Sequence, residues 1–247
     1  VSVFARLQGL HLTVVDCGVA ENLPPHARLL ARTMVSIGKH HGVRTVALLT
    51  DMDQPLGNAI GNSLEVIEAL QTLQGKGPRD LEQLSVRLAA WLVVLSGLCS
   101  ELREAEQRVR AALVNGTGLA KLREMVVRQG GDGRVIDDPA LFAQAPFRQL
   151  VPARHSGFVT AVHAEMLGRA AMLLGAGRDT AEDVIDHGVG VIMLRKPGDN
   201  VNGGDSLVEL HYRSENRLEE AIALVYAAYQ VGNDNVTLRP LIFETVE

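Results

Sequence analysis

Cysteine is nearly absent: Cys17 and Cys99 are the only two in 247 residues, too few for a disulfide scaffold or for a zinc site of the usual thiolate kind. Long apolar runs are missing as well. No uncharged stretch is longer than Leu88 to Ser100, which lies between Arg87 and Glu101 and falls short of the roughly 20 apolar residues that cross a bilayer. No charged segment at the start leads into a secretory apolar run. Lys and Arg number 24 against 29 for Asp and Glu, a net charge of -5, and no long basic run compensates a phosphate backbone. These absences argue against a membrane partner and a nucleic-acid partner, and they predict a reduced, cytoplasmic protein. What remains, 47% hydrophobic and 21% charged residues, is the balance of a folded globular chain, long enough for two domains.

Hydrophobic spacing sets the organisation. Leu10 to Val15 reads as a short strand in an otherwise aperiodic start. From His26 to His41 the positions Leu29, Leu30, Thr33, Met34 and Ile37 share one helical face, and Gly42 stands where a C-terminal cap belongs. Val43 to Leu49 is a β-branched and aliphatic run that reads as a buried strand of a parallel α/β sheet. Asn62 followed by Glu65 resembles a capping box, and Leu64, Ile67, Leu70 and Leu73 continue a helix to Gly75. Leu81 through Leu102 recurs at helical intervals as one long buried helix. Shorter helices follow around Glu101 to Leu113 and Leu119 to Val127, stopped by the glycines at 130, 131 and 133. Three prolines between Asp137 and Pro152 mark a domain break near residue 150. Beyond it, strands at Gly157–Ala164, Val189–Lys196, Ser206–Arg213 and Thr237–Val246, with helices at Glu165–Leu174 and after Ser214, give an α+β region.

Thr50 to Glu65 is the most informative stretch. It follows a strand and precedes a helix amino terminus, where open α/β sheets place ligands, and Asp51, Asp53 and Glu68 crowd it. Pro55 and Leu56, with Asn62 in place of the closing glutamate, exclude an EF-hand. Lys196 to Leu207 repeats a Gly-Asp turn around a strand and resembles the hammerhead of biotinyl and lipoyl carriers. No modifiable lysine flanked by methionine stands at a hairpin tip, so a structural use is expected. Gly175 to Arg178 reads as a helix stop. The eight histidines form no helical zinc pair, His40-His41 faces two directions at a helix end, and Cys99 on an apolar helix reads as inert.

Two blocks carry a resemblance. VRTVALLTDMDQPLGNAIGNSLEVIEAL from Val43 to Leu70, and Ser156 to Leu210 containing SGFVTAVHAEMLGRAAMLLGAGRDTAEDVIDHGVG and VIMLRKPGDNVNGGDSLVEL, resemble pyrimidine-nucleoside and thymidine phosphorylases in the same order. The resemblance implies reversible phosphorolysis of uridine, thymidine or deoxyuridine with inorganic phosphate, giving free base and (deoxy)ribose 1-phosphate in nucleoside salvage, by a homodimer. It implies the fold as well: the remnant of a mixed α/β sheet with a helical cluster, then a smaller α+β domain with hammerhead-like strands. The domains are accordingly an unmatched segment 1–25, an α/β and helical part 26–150, and the C-terminal domain 151–247. The family's phosphate loop, of Lys-His-Ser-Thr-Gly-Gly-Val-Gly-Asp type, and its base-holding arginine, serine and lysine are not found in these residues. No catalytic or substrate-binding residue is therefore assigned, and the expectation is the C-terminal portion of the family pattern from a truncated or frameshifted product, inactive alone. The alternative is a truncated paralogue that serves as a binding or scaffold protein. One site carries over by resemblance: a potassium ion held by the backbone carbonyls of Leu56 and Ala59 and by Glu68.

Overall fold

A computed structural model describes residues 4–7, 10–13, 25–178, 182–234 and 236–247; Cys17 and the last two positions of the strand read from Leu10 to Val15 lie outside them. In chain order the elements are β1 (Phe4–Leu7), β2 (Leu10–Thr13), α1 (Pro25–His40), β3 (Ala47–Thr50), β4 (Ala59–Ile60), α2 (Asn62–Leu73), α3 (Arg79–Leu95), α4 (Leu102–Val114) and α5 (Thr117–Arg128). Then come β5 (Phe147–Pro152), β6 (Gly157–Val162), α6 (Ala164–Ala171), β7 (Gly190–Met193), β8 (Asn200–Val201), β9 (Ser206–Tyr212), α7 (Leu218–Ala228), β10 (Tyr229–Gly232) and β11 (Ile242–Val246). The fold is mixed α/β. The chain divides into two compact units, each discontinuous in sequence: residues 1–53, 80–115 and 239–247 form one, residues 54–79 and 116–238 the other. Position 150 falls inside the second, within β5.

In the first unit β3 pairs with β11, Ile242 opposite Thr50 and Val246 opposite Ala47, with a bulge between Ile242 and Glu244. The pairing is antiparallel, as is every strand pair among the described residues. The buried, parallel strand expected from Val43 to Leu49 is thus corrected: β3 is half-buried along its length, and a short apolar run leaves strand direction open. α1 also turns the other way round. Its buried residues are Ala27, Ala31 and Val35, spaced i, i+4, i+8, and small side chains let the helix lie against β3 and β11. The larger stripe read from the sequence faces outward, with Leu29 64% and Ile37 56% exposed.

The long helix expected from Leu81 to Leu102 is two helices. Gly97 adopts φ 78°, its N–H bonds the Val94 carbonyl, and Leu98 N–H reaches back to Val93 at 3.3 Å. This is a glycine-terminated Schellman stop, a signal that uninterrupted periodicity hides. Gly42 closes α1 with the same bonds, from Gly42 to Lys39 and from Val43 to Gly38. Ala90, Trp91 and Val94 of α3 and Ala105 of α4 form the local core, with Val46, Leu48 and Leu102 against it.

The second unit holds an antiparallel sheet ordered β4-β7-β9-β5 and a three-stranded sheet ordered β10-β6-β8. Its core draws Val151, Val159, Leu167, Val191, Leu207, Leu210, Val225 and their neighbours from both sheets and from α6 and α7. β5 occupies a stretch that prolines made look like a linker. It is an edge strand, and Pro152 sits at its bulge, where a missing N–H breaks no ladder. Leu210, fully buried on the interior strand β9, tests this core: Leu210→Ala is expected to cost about 2–5 kcal/mol, measured by urea unfolding followed by circular dichroism.

Candidate functional site

The second unit carries the segment from Gln54 into α2. β4 pairs with β7, Ala59 opposite Ile192 and Ile60 opposite Val191, and Met193 N–H donates to the Asn58 carbonyl at 2.8 Å. In an antiparallel pair, bonded and non-bonded positions alternate, so Ala59 directs both its N–H and its carbonyl away from β7. On that side stands Glu68, in the second turn of α2 and 8% exposed. Its Oε1 accepts from Asn58 N–H at 2.9 Å and from Ala59 N–H at 3.1 Å. Two amide donors compensate a carboxylate that burial alone would disfavour. Of the three residues the resemblance selects, the structure brings Glu68 and Ala59 together. Leu56 lies three positions earlier in the same loop, 38% exposed. A backbone carbonyl and a carboxylate directed to one side are both hard oxygen donors.

The crowding of acids read from the sequence resolves into separately partnered groups. Asp51 Oδ1 accepts from Asp53 N–H at 3.1 Å, and Asp53 pairs with Arg239 at 2.7 Å, all within the first unit. Glu68 is bonded within the second.

The capping-box reading of Asn62 is also corrected. Gly61 is the N-cap of α2, and the Glu65 carboxylate accepts the Gly61 N–H at 2.9 Å. The Asn62 side chain does not cap; it donates through Nδ2 to the Ala176 carbonyl at 2.9 Å. Ala176 ends a wide π-type turn over Met172–Ala176 in which Gly175 has φ 108°. So Gly175 to Arg178 terminates α6, as expected of a helix stop.

Opposite Gly61 runs the segment from Asp186 to Gly190. Ser63 N–H donates to the His187 carbonyl at 3.0 Å. Gly61 and Gly190 meet backbone to backbone: a Cβ on Gly190 would lie 2.2 Å from the Ile60 carbonyl oxygen, and one on Gly61 2.6 Å from that of Val189. Asp186 organises the segment. Its N–H bonds the Gly175 carbonyl at 2.9 Å, one carboxylate oxygen accepts from Gly188 N–H, and the other accepts from Arg213 Nε. The Arg213 guanidinium holds the Asp186 carboxyl below its usual range, with the Gly188 N–H adding to that effect. Sequence periodicity offers no sign of this arrangement, because β4 is two residues long and the bonds are to backbone.

The remaining candidates are structural. Asp199 accepts from Lys196 N–H at 2.8 Å and Asp205 from Asn202 N–H at 3.0 Å, so each Gly-Asp turn is closed by its own aspartate on either side of β8. His40 Nδ1 lies 2.8 Å from the Ser36 carbonyl oxygen in its own helix. Cys99, expected on a helix, lies instead in the connection between α3 and α4, half-buried beside their core. No helix among the described residues is long and apolar enough to cross a membrane.

Comparison with known proteins bears on the same regions. Residues 2–119 match the glycosyl transferase family a/b domain, and residues 158–232 match the pyrimidine nucleoside phosphorylase C-terminal domain. The first match begins at residue 2 and so takes in the segment 1–25 that the sequence reading sets apart. The chain is 46% identical over 197 residues to the pyrimidine-nucleoside phosphorylase of Bacillus subtilis, covering 80% of this chain and 45% of the relative. It is 44% identical over 204 residues to the Staphylococcus haemolyticus protein of that name, covering 80% and 47%. With that of Geobacillus stearothermophilus the identity is 38% over 220 residues, covering 89% and 51%. The chain spans about half the length of the curated relatives it matches.

Two outcomes follow from the geometry. Glu68→Ala leaves two amides without their acceptor and is expected to lower stability by about 1–3 kcal/mol, read from the urea midpoint. Because Asp186 is depressed in the folded state, its pairing stabilises above the unfolded carboxyl pKa of about 3.9 and fades as pH falls through the lower folded value. Arg213→Met is therefore expected to melt below the wild type at pH 7, with the gap narrowing below about pH 4, measured by thermal scans across pH.

Proposed function

The chain belongs to the pyrimidine-nucleoside phosphorylase family, and we propose that it serves the reversible phosphorolysis of pyrimidine nucleosides in salvage. In this reading uridine, thymidine or deoxyuridine reacts with inorganic phosphate to give the free base and (deoxy)ribose 1-phosphate, in the cytoplasm and as a homodimer. The reading rests on one observation: similarity over 80% of the chain to a relative named for this activity. Such a reaction places a phosphate dianion beside an anomeric carbon that turns positive as the base departs. Positioned donors and charges supply most of the acceleration.

We assign this chain a supporting part in that chemistry. The carbonyls of Leu56 and Ala59, with Glu68, would hold a potassium ion, whose charge would neutralise the convergent oxygens and stiffen the loop that carries them. The Glu68 carboxylate fixes the Gly57–Asn58 and Asn58–Ala59 peptide units through their N–H groups, while the pairing of β4 with β7 turns the Ala59 carbonyl to the same side. We also read the strands β6 to β10 as hammerhead-like. The alternative reading is a binding or scaffold protein without turnover.

Phosphate-dependent release of uracil or thymine, followed by ultraviolet absorbance, separates the two. The protein isolated from its source is expected to release base only with phosphate and faster in potassium than in tetramethylammonium chloride. The 247-residue chain alone is expected to show very weak release or none. Glu68→Ala is expected to abolish the potassium stimulation. Absence of phosphate-dependent release from the source protein would favour the binding role.

A further inference from the structure

The candidate cation loop is held from outside itself. Glu68 and Glu65 bind it from α2, while Met193 N–H takes the Asn58 carbonyl and His187 accepts from Ser63. These contacts are either backbone pairings or bonds made by α2 to its own entry. The Asn62 side chain reaches across to a separate element: its Nδ2 donates to the Ala176 carbonyl at 2.9 Å, 114 positions away in sequence.

The chemistry of that contact is unusual for its position. Asn at a helix start ordinarily accepts a hydrogen bond from the helix's own N–H groups. Here Gly61 occupies the N-cap and no side chain caps it. The Asn62 amide acts instead as a donor, to the carbonyl that ends the π-type turn after α6. That turn is itself fixed, since the Gly175 carbonyl accepts from Asp186 N–H and Asp186 is bound by Arg213. A chain of bonds therefore runs from Arg213 on the β9 side through Asp186, the turn and Asn62 to Gly61 and the loop.

We propose that Asn62 is a positioning residue for the monovalent-cation loop: by latching the start of α2 to Ala176, it lets the region after residue 157 hold the Asn58–Gly61 backbone in its cation-binding geometry. The proposal rests on the potassium reading given above. It gives the C-terminal α+β region a task besides its own folding, that of a jig for a loop about 100 positions earlier in the chain.

The test compares the full chain with Asn62→Ala and Asn62→Asp. Potassium chloride binding is read by titration calorimetry, and amide hydrogen exchange is read at Asn58, Ala59 and Gly61. Asp is isosteric with Asn and, as an acid in the first helical turn, favours the helix itself. A role confined to starting α2 would therefore leave Asn62→Asp unchanged or more protected. A latch predicts the opposite, because Asp places an oxygen against the Ala176 carbonyl. Both variants are expected to weaken potassium binding roughly tenfold and to exchange the loop amides roughly tenfold faster, with β9 protection unaltered. Unchanged loop exchange in both variants overturns the proposal. Faster loop exchange in a protein whose wild type binds no potassium supports the latch and removes the potassium reading. Should Asn62→Ala lose its circular dichroism signal, Asn62→Asp decides alone.

Discussion

The Glu68 carboxylate oxygen, receiving two successive amides at 2.9 and 3.1 Å, fixes what the surrounding loop can do. A peptide plane has little freedom once its N–H is held. Fixing the N–H groups of Asn58 and Ala59 therefore fixes the directions of the carbonyls attached to the same planes. Those carbonyls belong to Gly57 and Asn58: the Asn58 carbonyl takes the Met193 N–H, while the pairing of β4 with β7 turns the Ala59 carbonyl to the carboxylate's side. A loop that periodicity would leave undefined is thereby given a defined backbone course. The glycine contact between Gly61 and Gly190 allows it, because no side chain keeps the two backbones apart.

The readable part of the fold was the part written in repeating intervals and in terminators. α2, α5, β7 and β9 lie within a few residues of where apolar spacing and glycine stops put them. What escaped had physical causes. A two-residue strand such as β4 has no period. β5 carries Pro152 at its last position, and an edge strand tolerates there what an interior one would not. The partner of β3 lies at residues 242–246, and no local pattern names a partner so distant. α1 shows how a stripe of larger apolar residues can mislead, since its close packing is made by Ala27 and Ala31. Of the candidate site, the loop was legible from its place between a strand and a helix start and Glu68 was singled out by the resemblance, whereas the use of Asn62 as a donor was not legible, because the residue type suggests a cap.

The helices of the first unit illustrate which forces count. Arg87 pairs with Glu106, and Arg110 with Glu82, linking α3 to α4. These side chains are 26–51% exposed, and pairs of that kind contribute about 0–1 kcal/mol. The α3–α4 contact is carried instead by Ala90, Val94 and Ala105, which are almost wholly removed from water, and by the Gly97 stop that turns the chain back.

The pairing of β3 with β11 has a consequence for how the protein is made. Ile242 lies opposite Thr50, so roughly 190 residues of chain separate two strands that form one ladder. During synthesis β3 leaves the ribosome long before its mate, at the usual rate of about 5–20 residues per second. For about ten seconds or more its apolar Ala47, Leu48 and Leu49 have no β11 to pair with, while the intervening second unit can gather its own core. The first unit is thus finished last, by a strand arriving from the far end of the chain, and its closure depends on a contact that is slow to find because its loop is long. A nascent chain paused between these strands would present an open edge to the chaperones and to its neighbours on the same message.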